Sequence, residues 1–292
     1  MSNTSLLICA SQFCASQCRP GLSEHAANSL NCQLAGQVLQ RSGWRGRLLL
    51  TVMRWPVFRA LFSGLLQSSL PGIVAHYQWR KQHIASRVRQ QVTEQGVQQL
   101  LIIGAGFDAL GARLSAEFQQ LQVIEIDRAE TINIKQQALQ RLNAQQPNLW
   151  LKAADLASCS MARLLADTKA FSATRSTLVL AEGVLMYLPQ PAINALLQQL
   201  RHSINAPLQL VASQMQLNQQ GRARFTRQRW PADVLLAISG ERFVSGVSAK
   251  ALPDWLTSMG FNLQQLVPAD QPGNSDPCPG ELLFYAEARP EI

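Results

Sequence analysis

The chain has 292 residues, of which 47% are hydrophobic and 15% charged, a composition that excludes a disordered chain and supports a sizeable core. Its formal net charge is +8, and residues 1–103 hold ten Lys and Arg against two Asp and Glu, whereas residues 104–292 hold sixteen of each. The basic part can face an acidic substrate, nucleic acid, anionic lipid or solvent, but it lacks the aromatic–basic interleaving of RNA-binding segments, so we expect no nucleic-acid partner.

The cysteines and the apolar segments bear on metal binding and location. No two of the six cysteines have CxxC spacing, so we expect no metal site. The first residues, MSNTSLLICASQFCASQC, lack the positive start and long apolar core of a signal peptide. The longest apolar region, residues 48–74, is interrupted by Arg54, Pro56 and Arg59. We therefore expect a cytoplasmic protein with reduced thiols and no transmembrane segment.

The first third of the chain is predicted to be helical, because its apolar residues recur at helical spacing. The predicted helices are Ser23–Arg41, Trp44–Leu70 with a break at Pro56, and Ile73–Gln95. No linker rich in Gly, Pro or Ser follows them. We therefore interpret residues 1–95 as a helical N-terminal appendage to a core of residues 96–292.

The stretch from Leu100 to Asp127 is the centre of the predicted core. It reads as strand, glycine turn, helix and strand, which is the layout of a nucleotide-binding βαβ unit. Gly104 permits the tight turn, and Gly106 lets a ligand approach the backbone. Alternation places Glu125 and Asp127 on one side of the second strand, with Asp127 positioned for a ribose diol. Both the nicotinamide dinucleotides and S-adenosylmethionine are bound by this layout.

Strand and helix patterns alternate through the rest of the core. The predicted strands are Gln99–Ile103, Gln122–Ile126, Leu149–Lys152, Thr177–Ala181, Leu208–Ala212, Asn262–Val267 and Glu281–Glu287. The predicted helices are Leu110–Gln119, Ala129–Asn143, Met161–Phe171, Gln190–Ser203 and Lys250–Met259. This order predicts an α/β fold with a doubly wound, mostly parallel seven-stranded sheet and an antiparallel edge. The alternation of strand and helix patterns stops at about residues 214–248, which we interpret as a lid-like insertion. Its arginines between residues 222 and 229 could attract a carboxylate.

Polar residues follow the predicted strands, at the sheet edge where open α/β folds bind ligands. Asp108 would repel a pyrophosphate over the glycine turn, but it can bind an ammonium group or cap a helix. Asp155-Leu156 can contact an adenine ring or cap a helix. Glu182-Gly183 ends a buried strand, where an unpaired charge is costly, so Glu182 calls for a functional explanation.

Four segments carry a resemblance to a known family: GAGFDALGARL, VIEIDRAETINIKQQAL, AADL and LAEGVLMYLP. Together they resemble the leucine carboxyl methyltransferase family and its bacterial S-adenosylmethionine-dependent O-methyltransferase relatives, over roughly residues 73–187. The EGVLMYLP element and the interval from Asp127 to Lys135 are its specific parts. The resemblance implies a Rossmann-like class I methyltransferase fold, S-adenosyl-L-methionine as cofactor, and a carboxylate or hydroxyl acceptor on a small molecule or protein C-terminus.

The resemblance also implies individual cofactor-binding residues. These are Arg80, Gly104, Gly106, Asp127, Asp155, Leu156 and Glu182. Arg80 is expected to bind the methionine carboxylate and Glu182 to contact the methionine amino group. Asp127 corresponds to the ribose ligand, and Asp155 with Leu156 to the adenine-side pair.

The sequence departs from the family at several places, and these leave the acceptor open. Ala109 stands where the family usually has Thr, and Gly111-Ala112 where many relatives have an aromatic residue and Arg. The N-terminal region, where the family's substrate contacts largely lie, matches poorly.

No catalytic base is evident, and other functions are considered beside methyl transfer. Tyr187 is interpreted as pocket lining, and three histidines as surface or packing residues: His76, His83 and His202.

An NAD-dependent oxidoreductase would also contain the βαβ unit, but it would leave Asp108 and Glu182 unexplained. A degenerate methyltransferase fold acting as a binding module would also keep it. A nucleic-acid methyltransferase is the least favoured, because the chain lacks an NPPY-like motif.

Overall fold

The computed structural model describes residues 9–10, 25–239, 242–268 and 278–289. Seven strands form one sheet: β1 (Gln99–Ile103), β2 (Gln122–Asp127), β3 (Leu149–Ala153), β4 (Thr177–Ala181), β5 (Leu208–Met215), β6 (Phe261–Val267) and β7 (Glu281–Ala288). The order is β3-β2-β1-β4-β5-β7-β6, and only β7 runs antiparallel to its neighbours. The predicted doubly wound, mostly parallel sheet with an antiparallel edge is therefore confirmed.

The described residues include helices before and between the strands. They are α1 (His25–Arg41), α2 (Gly43–Met53), α3 (Pro56–Ser69), α4 (Ile73–Glu94), α5 (Leu110–Glu117), α6 (Ala129–Arg141), α7 (Met161–Ala166), α8 (Gln190–Ser203), α9 (Trp230–Ser239) and α10 (Leu252–Ser258). A single 3₁₀ turn spans Leu185–Tyr187. The predicted start of the first helix at Ser23 and most of the loop after β6 lie outside the described residues.

Alternate residues of the central strand β1 enter two different cores. Leu100 and Ile102 pack with side chains of α1, α4, α5 and α6 on one face of the sheet. Leu101 and Ile103 pack with α7, α8 and α10 on the other. A strand covered on both faces must be apolar at every position, which is why β1 reads as a continuous aliphatic run.

Helix α1 attaches the N-terminal helices to the core. Its Leu34 and Val38 are fully buried in the same cluster as Ala138 and Leu139 of α6. The Asn31 side chain also accepts a hydrogen bond from the backbone N–H of Ala109, 2.9 Å away, at the start of α5. Helix α1 therefore contacts the turn after β1 directly, while the division into an appendage and a core stays a prediction.

Two predicted elements end three or more residues away from their predicted bounds: β5 ends three residues later and α7 five residues earlier. Strand β5 runs to Met215 because it pairs antiparallel with β7 as far as Glu281, so the irregular segment begins later than predicted. Helix α7 ends at Ala166, five residues early, because the Thr168 side chain bonds back to the Leu164 carbonyl at 2.7 Å and the chain turns. The lid role of residues 214–248 stays a prediction.

In the ranges that the structure describes, no single helix is long and apolar enough to cross a bilayer. Helices α2 and α3 reach that length and composition only as a pair, and they are bent by 104° at the break between them.

Candidate functional site

The carboxyl ends of four neighbouring parallel strands form one row at an edge of the sheet. In spatial order they carry Asp155 after β3, Asp127 at the end of β2, Gly104 after β1 and Glu182 after β4. Adjacent strands lie about 4.8 Å apart, so the row spans about 14 Å. Residues that are up to 78 positions apart in the chain thus line one elongated edge.

The glycine turn after β1 has two different steric requirements. Gly104 has φ +67, and a Cβ built on it would lie 2.5 Å from the Val184 side chain, so only glycine fits there. Gly106 has φ +50, but a Cβ there would meet nothing within 4 Å. Gly104 therefore packs the turn against the segment after β4, and Gly106 faces open space.

Asp127 holds the turn to the second strand. Its Oδ2 accepts a hydrogen bond from the Gly106 backbone N–H at 2.8 Å, and its Oδ1 accepts one from the Arg128 backbone N–H at 2.7 Å. The carboxylate is half-buried, so part of it remains accessible beside the turn. Asp127 therefore ties the glycine turn to the end of β2.

Asp155 and Leu156 form the far end of the row. Asp155 is exposed, and its side chain accepts a hydrogen bond from the Ala157 backbone N–H at 3.1 Å. It thus caps a short turn, whereas the helix that follows is capped by Ser160. Leu156 is half-buried against the apolar cluster below.

A charged cluster, defined here as His76, Arg80, Lys81, Asp108, Glu182 and Glu281, fills the other end of the row. The Arg80 guanidinium donates from Nε to Glu182 at 2.9 Å and from Nη1 to both oxygens of Glu281 at 2.6 and 2.7 Å. The Lys81 ammonium donates to Glu182 at 2.9 Å and forms an ion pair with Asp108. Glu182 therefore lies between two cations that come from consecutive residues of α4.

Burial and charge pairing shift the pKa values of two acids and two bases in this cluster. Burial by itself would raise the pKa of Asp108, but the Lys81 ammonium outweighs it and holds that pKa at about 2. Burial likewise opposes the ionised form of Glu281, and Arg80 together with His76 lowers its pKa to about 2. Both carboxyls are thus ionised at neutral pH, and the paired acids raise the pKa of Arg80 and of Lys81.

Three members of the cluster were not predicted as site residues from the sequence. His76 was interpreted as a surface or packing residue, yet it is buried with Nε2 2.8 Å from a Glu281 oxygen. It lies one turn before Arg80 on α4, a spacing that could have grouped the two. Glu281 begins the apolar strand β7. An unpaired charge at the end of a buried strand is costly, and this argument, which singled out Glu182, also applies to Glu281. Lys81 had no signal beyond its place next to Arg80.

A second ion pair lies beneath the glycine turn, between Glu125 of β2 and Lys135 of α6. Both side chains are fully buried, and Lys135 Nζ is 2.5 Å from Glu125 Oε2. Burial raises the pKa of Glu125, and the Lys135 ammonium opposes that effect. A Cβ on Gly111 would lie 2.1 Å from Glu125 Oε1, which explains why a glycine occupies this position in α5.

Glu281 makes the stability of the fold sensitive to acid. Its folded pKa of about 2 lies below the ordinary value of 4.5, so the folded state binds fewer protons than the unfolded state. Its contribution, about 3 kcal/mol, is therefore fully present above pH 4.5 and lost as the pH falls towards 2. We expect the unfolding free energy, measured with urea across this pH window, to fall less steeply for Glu281→Gln than for the wild type. Glu287→Gln, an exposed residue of the same strand, should retain the wild-type slope, and equal slopes for all three proteins would contradict the assignment.

Comparisons with known proteins identify the family and the fold. A sequence model described as leucine carboxyl methyltransferase matches residues 41–201, more than half of the chain. No curated protein matches the chain.

Two solved structures share the fold at low sequence identity. A candidate methyltransferase from Thermobifida fusca YX is 14% identical, with a TM-score of 0.55 over 80% of this chain and 89% of its own. A DUF574 family protein from Streptomyces avermitilis MA-4680 is also 14% identical, with a TM-score of 0.55 over 80% of this chain and 92% of its own.

Proposed function

Because this chain belongs to the leucine carboxyl methyltransferase family, we propose that it is an O-methyltransferase acting on a carboxylate or hydroxyl of a small molecule or a protein C-terminus. S-adenosylmethionine is the cofactor of the family, and when bound it supplies an electrophilic methyl group on a sulfonium ion. The observation that carries the proposal is the charged cluster at the glycine turn. It brings acid and base side chains together where an amino-acid group can be bound.

The charge of the cluster suits the methionine part of this cofactor. That part has a carboxylate, an ammonium group and a sulfonium ion, so it is cationic overall. The cluster holds two permanent cations and three carboxylates, a net charge of −1 if His76 is neutral. Arg80 would hold the carboxylate, and Glu182 would hold the ammonium group. Because loss of the methyl group also removes the sulfonium charge, the cluster should attract the donor more strongly than the product.

The remainder of the row suits the adenosine part. The open space at Gly106 permits a ligand to lie against the turn, and the half-buried Asp127 carboxylate beside it would accept the ribose hydroxyls. Asp155 and Leu156 would bind the adenine edge and face. The assignments of Gly104, Gly106, Asp127, Asp155 and Leu156 are part of this proposal.

A carboxylate is the acceptor that the contacts of the histidines support best. A carboxylate is already ionised and needs no general base, whereas a hydroxyl needs one within hydrogen-bond reach. His76 is buried against Glu281, and the His83 ring packs at a tilt against Trp79 with centroids 4.8 Å apart. His202 Nδ1 is 2.7 Å from the Gln198 carbonyl oxygen. These histidines are therefore committed to other contacts.

Arginines of the predicted lid segment support attraction of an anionic acceptor. Arg222, Arg227 and Arg229 have exposed side chains, while Arg224 is paired with Asp233 at 2.8 Å. We further propose a cytoplasmic location, consistent with the free thiols of Cys9, Cys32 and Cys159.

Calorimetry with the demethylated cofactor and with NAD separates the proposed cofactor from its alternative. We expect S-adenosylhomocysteine to bind and NAD not to bind. The Asp108 carboxylate accepts a hydrogen bond from the Leu110 backbone N–H at 2.6 Å, and a pyrophosphate over the turn would need that N–H group. Binding of NAD alone would overturn the proposal. Binding of S-adenosylhomocysteine without turnover on any acceptor would favour a binding module.

The stability of the methylated product in mild base identifies the chemical class of the acceptor. The protein is incubated with methyl-tritiated S-adenosylmethionine and pools of carboxylates, phenols and peptides with free C-termini. Methyl esters release volatile methanol in mild base, whereas methyl ethers and methylamines do not. We expect base-labile label from the carboxylate pools. Transfer only to nitrogen would contradict O-methylation.

A further inference from the structure

Helices α2 and α3, with the turn between them, carry a set of large apolar side chains that are exposed to solvent. We call this set the exposed apolar face: Trp44, Leu48, Trp55, Val57, Phe58, Leu61 and Leu65. Their exposed fractions lie between 48% and 67%. Large apolar side chains exposed together on neighbouring helices mark a site of interaction with a protein or a membrane.

Helix α3 has apolar side chains on two of its faces, and one of these faces is exposed. Val57, Leu61 and Leu65 recur every four residues and form one outward stripe. On an adjacent side of the helix, half-buried Phe62 packs against buried Met53 and Ala10. The helix therefore has one apolar face anchored in the protein and a second one exposed.

Helix α9 extends the apolar surface beside α3. Its Trp230 is 75% exposed and Val234 is 46% exposed. The two helices are joined where the Arg229 backbone N–H donates to the Ser69 carbonyl at 3.0 Å. Exposed Trp44 and Trp230 thus lie on α2 and α9, and exposed Trp55 lies directly before α3. Tryptophan is enriched at membrane–water interfaces.

The rim of the exposed apolar face is positive. Arg45, Arg47 and Arg54 have exposed side chains on or directly after α2, and Arg59 is half-buried on α3. Residues 25–93 contain no Asp or Glu, so no acid in that part of the sequence offsets these charges. Exposed Arg227 and Arg229 add to the charge near α9.

We propose that this surface docks the protein onto an anionic phospholipid bilayer, with α2 and α3 lying in the interface. Aromatic and aliphatic side chains with arginines at their edge are the composition of interfacial helices. The bend of 104° between α2 and α3 argues against one straight insertion. A second copy of this chain is a poorer partner, because face-to-face contact would bring the arginines of both copies together.

Vesicle co-sedimentation tests the docking. We expect the full-length protein to bind vesicles in which one lipid in three is phosphatidylglycerol, and to bind pure phosphatidylcholine at least tenfold more weakly. Raising the salt concentration should weaken the binding. The triple variant Arg45→Glu, Arg47→Glu, Arg54→Glu should bind at least about tenfold more weakly than the wild type, since each arginine near an anionic surface contributes roughly fivefold.

A charge-matched control separates a local surface from general attraction. Arg141, Arg163 and Arg175 are exposed on other elements, and their triple replacement by Glu changes the net charge equally. This control should retain most of its binding. A second variant, Phe58→Ser with Leu61→Ser and Leu65→Ser, should lose binding to anionic vesicles at least tenfold while its circular dichroism spectrum stays unchanged.

Three outcomes would overturn the proposal. They are equal binding to neutral and anionic vesicles, equal losses for both arginine triples, and absence of vesicle binding. If light scattering then shows a dimer that Leu61→Asp dissociates, the exposed apolar face is a contact between two copies. None of these readouts depends on methyl transfer.

Discussion

Replacing Glu182 with Gln is expected to lower the affinity for S-adenosylhomocysteine about a hundredfold, measured by calorimetry at neutral pH. The Glu182 carboxylate accepts hydrogen bonds at 2.9 Å from both Arg80 and Lys81, and it is the acid proposed to hold the ligand ammonium group. The amide keeps the shape of the side chain and removes its charge. Arg80 and Lys81 then each lose one of their two acidic partners, and the ligand loses an ionic contact.

A remote acid provides the comparison for Glu182→Gln. Asp167 at the end of α7 has 73% side-chain exposure, and Asp167→Asn removes the same charge without touching the row of strand ends. We expect its affinity to match the wild type. If Glu182→Gln binds S-adenosylhomocysteine within about threefold of the wild type, a change of less than 1 kcal/mol, Glu182 does not bind the ligand.

Replacing Lys135 with Met is expected to lower the free energy of unfolding by about 3–5 kcal/mol in urea denaturation at neutral pH. The change leaves the Glu125 carboxylate fully buried without the ammonium 2.5 Å away. Because burial raises the pKa of Glu125 above its ordinary value, the folded state then favours the protonated acid. The loss should therefore be larger at neutral pH than in mild acid.

A second replacement tests whether the loss comes from the orphaned charge. In the double variant Glu125→Leu, Lys135→Met no charge remains, and we expect at least about 2 kcal/mol of the stability to return. Lys169→Met, at an exposed position, should change the stability by less than about 0.5 kcal/mol. Additive losses in the double variant would show that packing, and not charge, explains the effect.

The fold was predictable because it depends on patterns that are local in the sequence. Strands β1 and β4 have the predicted bounds, since each is a short aliphatic run closed by polar or glycine residues. The end of β5 was wrong because its last residues pair with β7, whose start at Glu281 is 66 positions beyond Met215. A pairing of that kind leaves no local signal.

Candidate site residues could be predicted where a polar residue follows a buried strand, because burying an unpaired charge is costly. Glu182 was singled out by this cost and Asp127 by its place at the end of the second strand of the βαβ unit, and their roles as ligands stay predictions. His76 and Glu281 were not, although each is almost fully buried. Each is the buried hydrogen-bond partner of the other, and the two residues are 205 positions apart in the sequence.

What the sequence determined by itself is the order of strands and helices, the glycine turn, and the acids at the strand ends. These features depend on periodicity, backbone freedom and the cost of burying charge, all of which act over a few residues. The tertiary structure alone decided that Arg80 and Lys81 share Glu182, that Glu281 and His76 complete the charged cluster, and that α2 and α3 expose their apolar side chains. Those facts depend on which segments meet in space, because the energy of a buried charge or an apolar side chain is set by its neighbours and not by its position along the chain.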